Sequence, residues 1–360
     1  MVDNSQNQFE SLSCPLPLPH KDQVVMGHGS GGRMTKELIE KIFYKHFSNA
    51  LLNAGNDFAV FPTTSTHQNN PRIVVSTDGH VVKPIFFPGG DIGRLAVSGT
   101  VNDVSVSGAR PLYITASFII EEGFSIELLE NVVISMKRTA EEAGVLIIAG
   151  DTKVVEKGSA DGVFISTTGI GILDEDYQIN GAMAEPGDLV MISGTIGDHG
   201  IAVLAARNEL GFKTTIQSDV APLNNLIAEM LRAAPNVHVL RDPTRGGLAT
   251  TLNEIASQSR VNIDLDEISI PILKPVESAC ELLGFDPLYV ANEGKLVIIL
   301  PKEQGNQCID AIRHNPLGKN AQIIGVVTAK SSNPLVTMKT RIGGTRIVDW
   351  LSGEMLPRIC

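Results

Sequence analysis

Ile73-Val74-Val75-Ser76-Thr77-Asp78-Gly79 sets a β-branched run directly before a small polar pair, a carboxylate and a glycine. Valine and isoleucine suit a buried strand. A carboxylate at the end of such a strand faces the crevice where ligands of mixed α/β folds collect. Two more acids are expected at comparable points. Asp103 follows Val97 and Val101 in Val101-Asn102-Asp103-Val104, and Asp151 follows the apolar run Val145 to Ala149 in Ala149-Gly150-Asp151-Thr152-Lys153. Each Asp alone is accounted for by a helix cap or a turn, but the three together favour a site. Carboxylates converging on one crevice repel each other unless a cation neutralises them. Mg2+ carried by a nucleotide triphosphate fits, because it binds through a few carboxylates plus phosphate oxygens.

Outward from these segments, short apolar runs alternate with helical patterns. Tyr113 to Ile120 and Val163 to Ile172 read as strands, and residues 93–108 as a helix. In 125–144 the spacing of Ile126, Leu129, Val133, Met136 and Ala140 predicts one buried helix face. The pattern breaks at Gly181 to Asp188, the expected entry to a second domain. Beyond it, Leu189 to Ile192, Val290, Leu296 to Leu300 and Gln322 to Val327 read as strands, and roughly 199–209, 222–234 and 246–258 as helices. The fold class is therefore α/β (α+β), with mixed domains over 25–180 and 181–340. A disordered arm (1–24) precedes them and a mobile tail (341–360) follows.

Composition narrows the classes. The chain of 360 residues is 43% hydrophobic and 19% charged, with a net charge of −11. An acidic surface repels nucleic acid and anionic membrane, so neither is expected as a partner. No apolar run approaches the roughly 18 residues of a membrane span. Cysteines at 14, 280, 308 and 360 form no CxxC and no Cys/His cluster. That usage argues against structural zinc and a disulfide framework and suits a reducing, cytoplasmic setting.

Several other residues could carry chemistry. The run Gly27-His28-Gly29-Ser30-Gly31-Gly32-Arg33 reads equally as an anion cradle of backbone amides or as a plain flexible loop. Lys153 could stabilise developing negative charge, and Glu293 in Asn292-Glu293-Gly294 could take a proton. Taken singly, a surface lysine and a turn glutamate explain them. His28, His80 and His199 read as loop histidines. Asp242-Pro243-Thr244-Arg245-Gly246-Gly247 opens a helix, where amides attract anions, although capping explains the same residues. Cys360, after Pro357-Arg358, has no packing reason to be there. A thiolate there could attack an acyl or carbamoyl carbon and carry the group between sites; a chance cysteine on a frayed end is the bland alternative.

From about Val24 to Cys360 these pieces resemble the HypE family of hydrogenase maturation factors. That family comprises carbamoyl dehydratases of the aminoimidazole-ribonucleotide synthetase-like (PurM) superfamily. The Asp-containing segments, Gly197-Asp198-His199-Gly200 and Asp242 to Gly247 are shared across the superfamily. The ending Pro357-Arg358-Ile359-Cys360 is specific to the family. The resemblance implies a homodimer of two-domain subunits that binds ATP near the subunit interface. It implies that Asp78, Asp103 and Asp151 hold Mg2+, and that Asn102, Thr152, Gly31, Gly32 and Arg33 contact the nucleotide. Cys360 would carry the carbamoyl group, Glu293 would act as base, and Lys153 would stabilise charge. The implied partners are the HypF carbamoyltransferase, which loads the thiol, and the HypC–HypD complex, which receives cyanide. Two rivals remain: another ATP-dependent small-molecule kinase or synthetase of the superfamily, and a non-catalytic thiol carrier.

Overall fold

The computed structural model describes residues 23–62, 71–207 and 215–351. Cys14 and Cys360, and nearly all of the arm expected over 1–24, lie outside the described residues. The first sheet orders its five strands β1 (Ala59–Pro62), β2 (Arg72–His80), β7 (Val163–Leu173), β5 (Arg110–Glu121) and β6 (Leu146–Val155). All pairings are antiparallel except β5 with β6. A small hairpin of β3 (Phe86–Phe87) and β4 (Gly90–Asp91) leads into helix α3 (Ile92–Ser105), whose first amides are capped by the Asp91 carboxylate.

Helix α3 is buried almost all round, polar residues such as Ser98, Thr100 and Asn102 included: Leu95, Ala96, Val97, Val101 and Val104 are at most 1% exposed. It nests on β7 because that strand carries glycine where the helix passes. A Cβ at Gly169 would lie 2.7 Å from Thr100 Cγ2 and 2.8 Å from Val104 Cγ2. Helix α4 (Ile126–Ala143) packs beside α3. Its buried face is Val132, Met136, Thr139, Ala140 and Ala143. Ile126 and Val133, expected inside, are 79% and 46% exposed. The stripe that meets α3 is thus rotated from the one the apolar spacing marks out, because a threonine and alanines allow the closer approach.

The second sheet runs β14 (Thr345–Ile347), β13 (Val336–Lys339), β10 (Val261–Asp266), β12 (Gln322–Lys330), β8 (Leu189–Ile192), β11 (Val297–Leu300) and β9 (Val239–Arg241). Central strand β11 is buried throughout, as its unbroken apolar run predicts. Helices α5 (Asp198–Ala206), α6 (Asn224–Ala233) and α7 (Gly247–Ser259) fall close to the expected spans. Val290 is not in a strand; it follows the 3-10 turn Pro287–Tyr289.

Three further expectations change. Asp78 lies inside β2, Asp103 in the last turn of α3 and Asp151 inside β6, so none ends a strand. The helical segment after the glycine run is α1 (Arg33–Leu38), a π-type turn (Ile39–Tyr44) and α2 (Lys45–Phe47); none of its residues is buried. Finally, the chain from Thr345 to Leu351 is docked rather than loose. After β14, Val348 is fully buried and its carbonyl accepts from Asn253 Nδ2 at 2.9 Å. Tyr289 Oη donates to Asp349 O at 2.8 Å. The Arg33 amide donates to Leu351 O at 3.2 Å, and Lys36 Nζ sits 4.6 Å above the Trp350 ring.

Candidate active site

The two halves meet along α3, and acidic side chains collect at that junction. Asp78 from β2 is about a third exposed, and its Oδ2 lies 3.8 Å from His80 Nε2. Burial pushes the His80 imidazole below its usual pKa, which outweighs the pull of Asp78; the ring is a neutral partner of Thr167 Oγ1, 3.0 Å away. Asp103 accepts a hydrogen bond from Ser76 Oγ at 2.8 Å. Desolvation, then the charges of Asp242, Asp57 and Asp78, hold its carboxyl well above the ordinary range.

Asp242 comes from the second half, immediately after β9. Burial first, then Asp57, pushes its carboxyl up to about 7, against the opposing pull of Arg241. Glu293 is 4% exposed, and its Oε1 has no hydrogen-bond partner. Its pKa is raised well above 4.5 by burial, then by Asp242, Asp78 and Asp219, with Arg245 opposing. A carboxyl in this state is a base of far greater strength than an exposed glutamate once it loses its proton.

Arg241 ties the halves together beneath this cluster. Its Nε lies 2.8 Å from Asp57 Oδ2, its Nη2 2.7 Å from Glu254 Oε2, and its Nη1 donates to Gly55 O. The seat of Val348 to Leu351 adjoins the cluster. A Cβ at Gly31 would meet Arg245 Cβ at 2.8 Å, and one at Gly32 would meet Leu351 Cβ at 3.1 Å. The docked segment Val348 to Leu351 therefore rests on the glycine run, one residue from the loop that follows Asp242.

Comparison with known proteins adds the lineage. The AIR synthase related protein N-terminal domain family matches residues 55–173, and the corresponding C-terminal domain family matches 185–336. Carbamoyl dehydratase HypE of Cupriavidus necator is 55% identical over 350 residues, covering 97% of this chain and 98% of the relative. The chain belongs to the HypE family of carbamoyl dehydratases. Among solved structures, a HypE bound to ATP is 47% identical with TM-score 0.77, covering 94% of this chain and 100% of that one. A HypE–HypF complex is 50% identical with TM-score 0.80, covering 87% and 99%.

Of the residues expected to serve a HypE-type site, the fold brings Asp78, Asp103 and Glu293 to one junction. It does not bring Asp151, Thr152 and Lys153 there within one subunit. Asp78 pairs with Thr167 on β7, Thr167 with Ala116 on β5, and Ala116 with Gly150 on β6. Three ladder steps of about 4.8 Å put Asp151 roughly 14 Å from Asp78. Asp151 instead pairs with Lys153 at 3.3 Å on the exposed face of β6. Asn102 is buried with its amide fully engaged: it donates to Ala221 O and Glu293 O and accepts from the Leu223 amide. In this structure it holds protein backbone.

Two amides of the glycine run are engaged by protein. The Gly31 amide donates to Thr35 Oγ1 and the Arg33 amide to Leu351 O, so the run is a seat for the chain's last described residues. Cys360 lies outside the described residues. Asp57, Asp219 and Arg241 escaped the sequence reading. The one local signal was the charged pair Arg241-Asp242 closing the segment Val237-His238-Val239-Leu240.

The donor set fits a magnesium nucleotide. Among the described residues no three His, Cys, Asp or Glu side chains surround one point closely enough to hold a metal alone. Mg2+ needs only one or two protein carboxylates when phosphate supplies the rest. Burial first, then neighbouring carboxylates, raises Asp103 and Asp242; a bound cation would relieve the repulsive part.

Proposed function

We propose that this chain dehydrates an S-carbamoyl group on Cys360 to a thiocyanate at the expense of ATP, supplying cyanide ligands for a nickel–iron hydrogenase. The observation that carries this reading is Glu293: a buried carboxyl of raised pKa, its Oε1 unpartnered, beside Asp78 and Asp242 at the junction that the seat of Val348 to Leu351 adjoins. From Leu351, nine residues extend at most about 30 Å, ample for the Cys360 sulfur to reach Glu293.

The carbamoyl oxygen attacks the γ-phosphorus and ADP leaves, converting a poor leaving group into a phosphate ester. Such transfer depends on positioning and charge neutralisation. Mg2+ held by Asp78 and Asp103 would supply that neutralisation. Two N–H protons then depart, Glu293 accepting one, while the C–O bond breaks and phosphate carries the oxygen away. The sulfur is left bearing C≡N. Burial of the site excludes the water that would hydrolyse the activated ester.

Strand β6 supports a homodimer. It is a sheet edge whose Leu146, Ile148 and Val154 are 65%, 53% and 68% exposed, a surface that calls for a cover. A second copy packed over the exposed face of the sheet there would bring its own Asp151, Thr152 and Lys153 toward the Asp78 junction, where Lys153 would stabilise charge on the transferring phosphate. Loading of the thiol by a HypF carbamoyltransferase and delivery of cyanide to HypC–HypD complete the scheme. Among the described residues no helix is long and apolar enough to cross a membrane, and a free reactive thiol suits the cytoplasm.

Intact mass tests the reading. Carbamoyl adds about 43 Da and cyano about 25 Da to a cysteine. Carbamoyl-loaded protein given ATP should lose about 18 Da by the difference, and Glu293→Gln should stall at the heavier species. Turnover of a diffusible substrate by protein lacking Pro357 to Cys360 would favour a superfamily kinase instead.

A further inference from the structure

A base acts only where its backbone puts it, and the backbone of Glu293 is held at both ends. Its amide donates to Asp219 Oδ1 at 3.1 Å, and its carbonyl accepts from Asn102 Nδ2 at 3.3 Å. The other oxygen of Asp219 faces Lys295 Nζ at 3.1 Å, with the two side chains 3% and 10% exposed. Lys295 is two residues past the glutamate it helps to hold. Between them Gly294 lies so close to Asp219 that a Cβ there would overlap the Asp219 carbonyl oxygen. Asn292, on the other side, accepts from the Gly197 amide at 2.7 Å and donates to Pro243 O at 2.9 Å, next to Asp242.

A buried ion pair is a poor device for stability, since desolvating two charges offsets their attraction and an apolar pair of equal volume often does as well. Its advantage here is directional. An ionised oxygen makes a shorter, stronger bond to an amide than a neutral acceptor does. We infer that Asp219, paired with Lys295, is a positioning residue that fixes Glu293 for proton abstraction, with Asn102 as the second point of the clamp. The inference rests on Glu293 being the base, and the experiment separates the two.

The full-length protein, carbamoyl-loaded on Cys360, is given ATP, and its conversion to the cyano form is followed by intact mass in a single turnover. Two double variants are compared: Asp219→Asn with Lys295→Met, and Asp219→Leu with Lys295→Met. Both remove the ion pair, but only the asparagine keeps an oxygen for the Glu293 amide. The leucine variant should be slower than the asparagine variant by on the order of 30-fold, because a displacement near 1 Å has effects of that size. ATP affinity of the two should agree within about threefold, since the nucleotide is not what is displaced.

Equal rates for the two variants, or a parallel loss of ATP binding, would overturn the assignment. Glu293→Gln runs alongside. If it converts at the wild-type rate, the base itself is misassigned; if it stalls while the double variants match, only the clamp is wrong. Should the leucine variant fail to fold, Gly294→Ala pushes the same backbone off Asp219 with every charge retained, and an unchanged rate there overturns the clamp equally.

Discussion

Replacing Gly32 by alanine separates two roles for the glycine run. The residue has φ −89° and ψ −157°, conformations open to alanine, so no backbone strain enters. The new methyl would lie 3.1 Å from Leu351 Cβ and 3.2 Å from its carbonyl carbon, with the oxygen closer still. Carbon contacts prefer about 3.5–4.0 Å. The nearest atoms belong to backbone, so the segment must move as a whole. Movement loses the Arg33 N–H bond to Leu351 O, worth about 1 kcal/mol net. It also draws Trp350 away from Lys36, a contact worth about 0.5–1 kcal/mol at an exposed site. A loss of about 2 kcal/mol lowers the seated population, and with it the effective concentration of the Cys360 sulfur at Glu293, roughly 30-fold. Conversion of carbamoyl to cyano, followed by intact mass at saturating ATP, should slow by about that factor. ATP affinity, measured by calorimetric titration, should be unchanged. An ATP affinity weakened tenfold or more with the saturating rate intact would refute the argument and restore the run as a phosphate cradle.

Arg241→Gln leaves Asp57 and Glu254 facing each other without a cation, and breaking a buried pair by removing one partner costs about 3–5 kcal/mol. The apparent midpoint in calorimetry should fall by about 4–7 °C for a chain of this size; a drop under about 1 °C would mean that the hub contributes little. Asp242 is raised from 3.8 to about 7, so the folded state binds its proton more tightly than the unfolded state. The stability it contributes is complete below pH 4 and is lost as pH rises through 7. In nucleotide-free protein, Asp242→Asn should therefore gain little midpoint over wild type near pH 4 and progressively more up to pH 8; a constant difference would contradict the burial of that charge. Ile148→Glu on β6 should convert a dimer to a monomer in sedimentation and abolish conversion without changing the fold by circular dichroism. An unaltered sedimentation mass would remove β6 from the interface.

Local pattern reads best where a residue's role depends on its near neighbours. The strand carrying Asp78, the helices after Asp198 and Gly246, and the buried run Val297 to Leu300 obey spacing that a short window contains. Asp103 shows the limit: the acid was legible, but its place in the last turn of a buried helix depends on glycines 169 and 171 of another strand. Asp151 shows it more sharply. Its glycine-flanked setting is as suggestive as that of Asp78, yet strand order alone decides that the two stand three strands apart, and strand order leaves no trace in either segment. Asp57 and Arg241 form the interdomain hub across more than 180 positions of chain, and neither segment announces the other. The same holds for the glycine run, which reads equally as a cradle or a loop and gives no sign that Leu351 lies against Gly32.

Glu293 carries the point into chemistry. A glutamate between Asn and Gly is an ordinary turn residue on local evidence. Its proton affinity is raised first by burial and then by Asp242 and Asp78, which arrive from two other elements, while Asn102 and Asp219 hold its backbone. Acid–base character at this site is therefore a property of the junction between the two halves, not of any one motif. A consequence follows for variants. Substitutions that loosen the junction without touching an acid, as Arg241→Gln does, should let water reach Glu293, lower its affinity for a proton and weaken it as a base. The acid limb of the conversion rate should then move to lower pH while its plateau falls. A plateau that falls with no movement of the limb would mean that the junction positions the base without setting its strength.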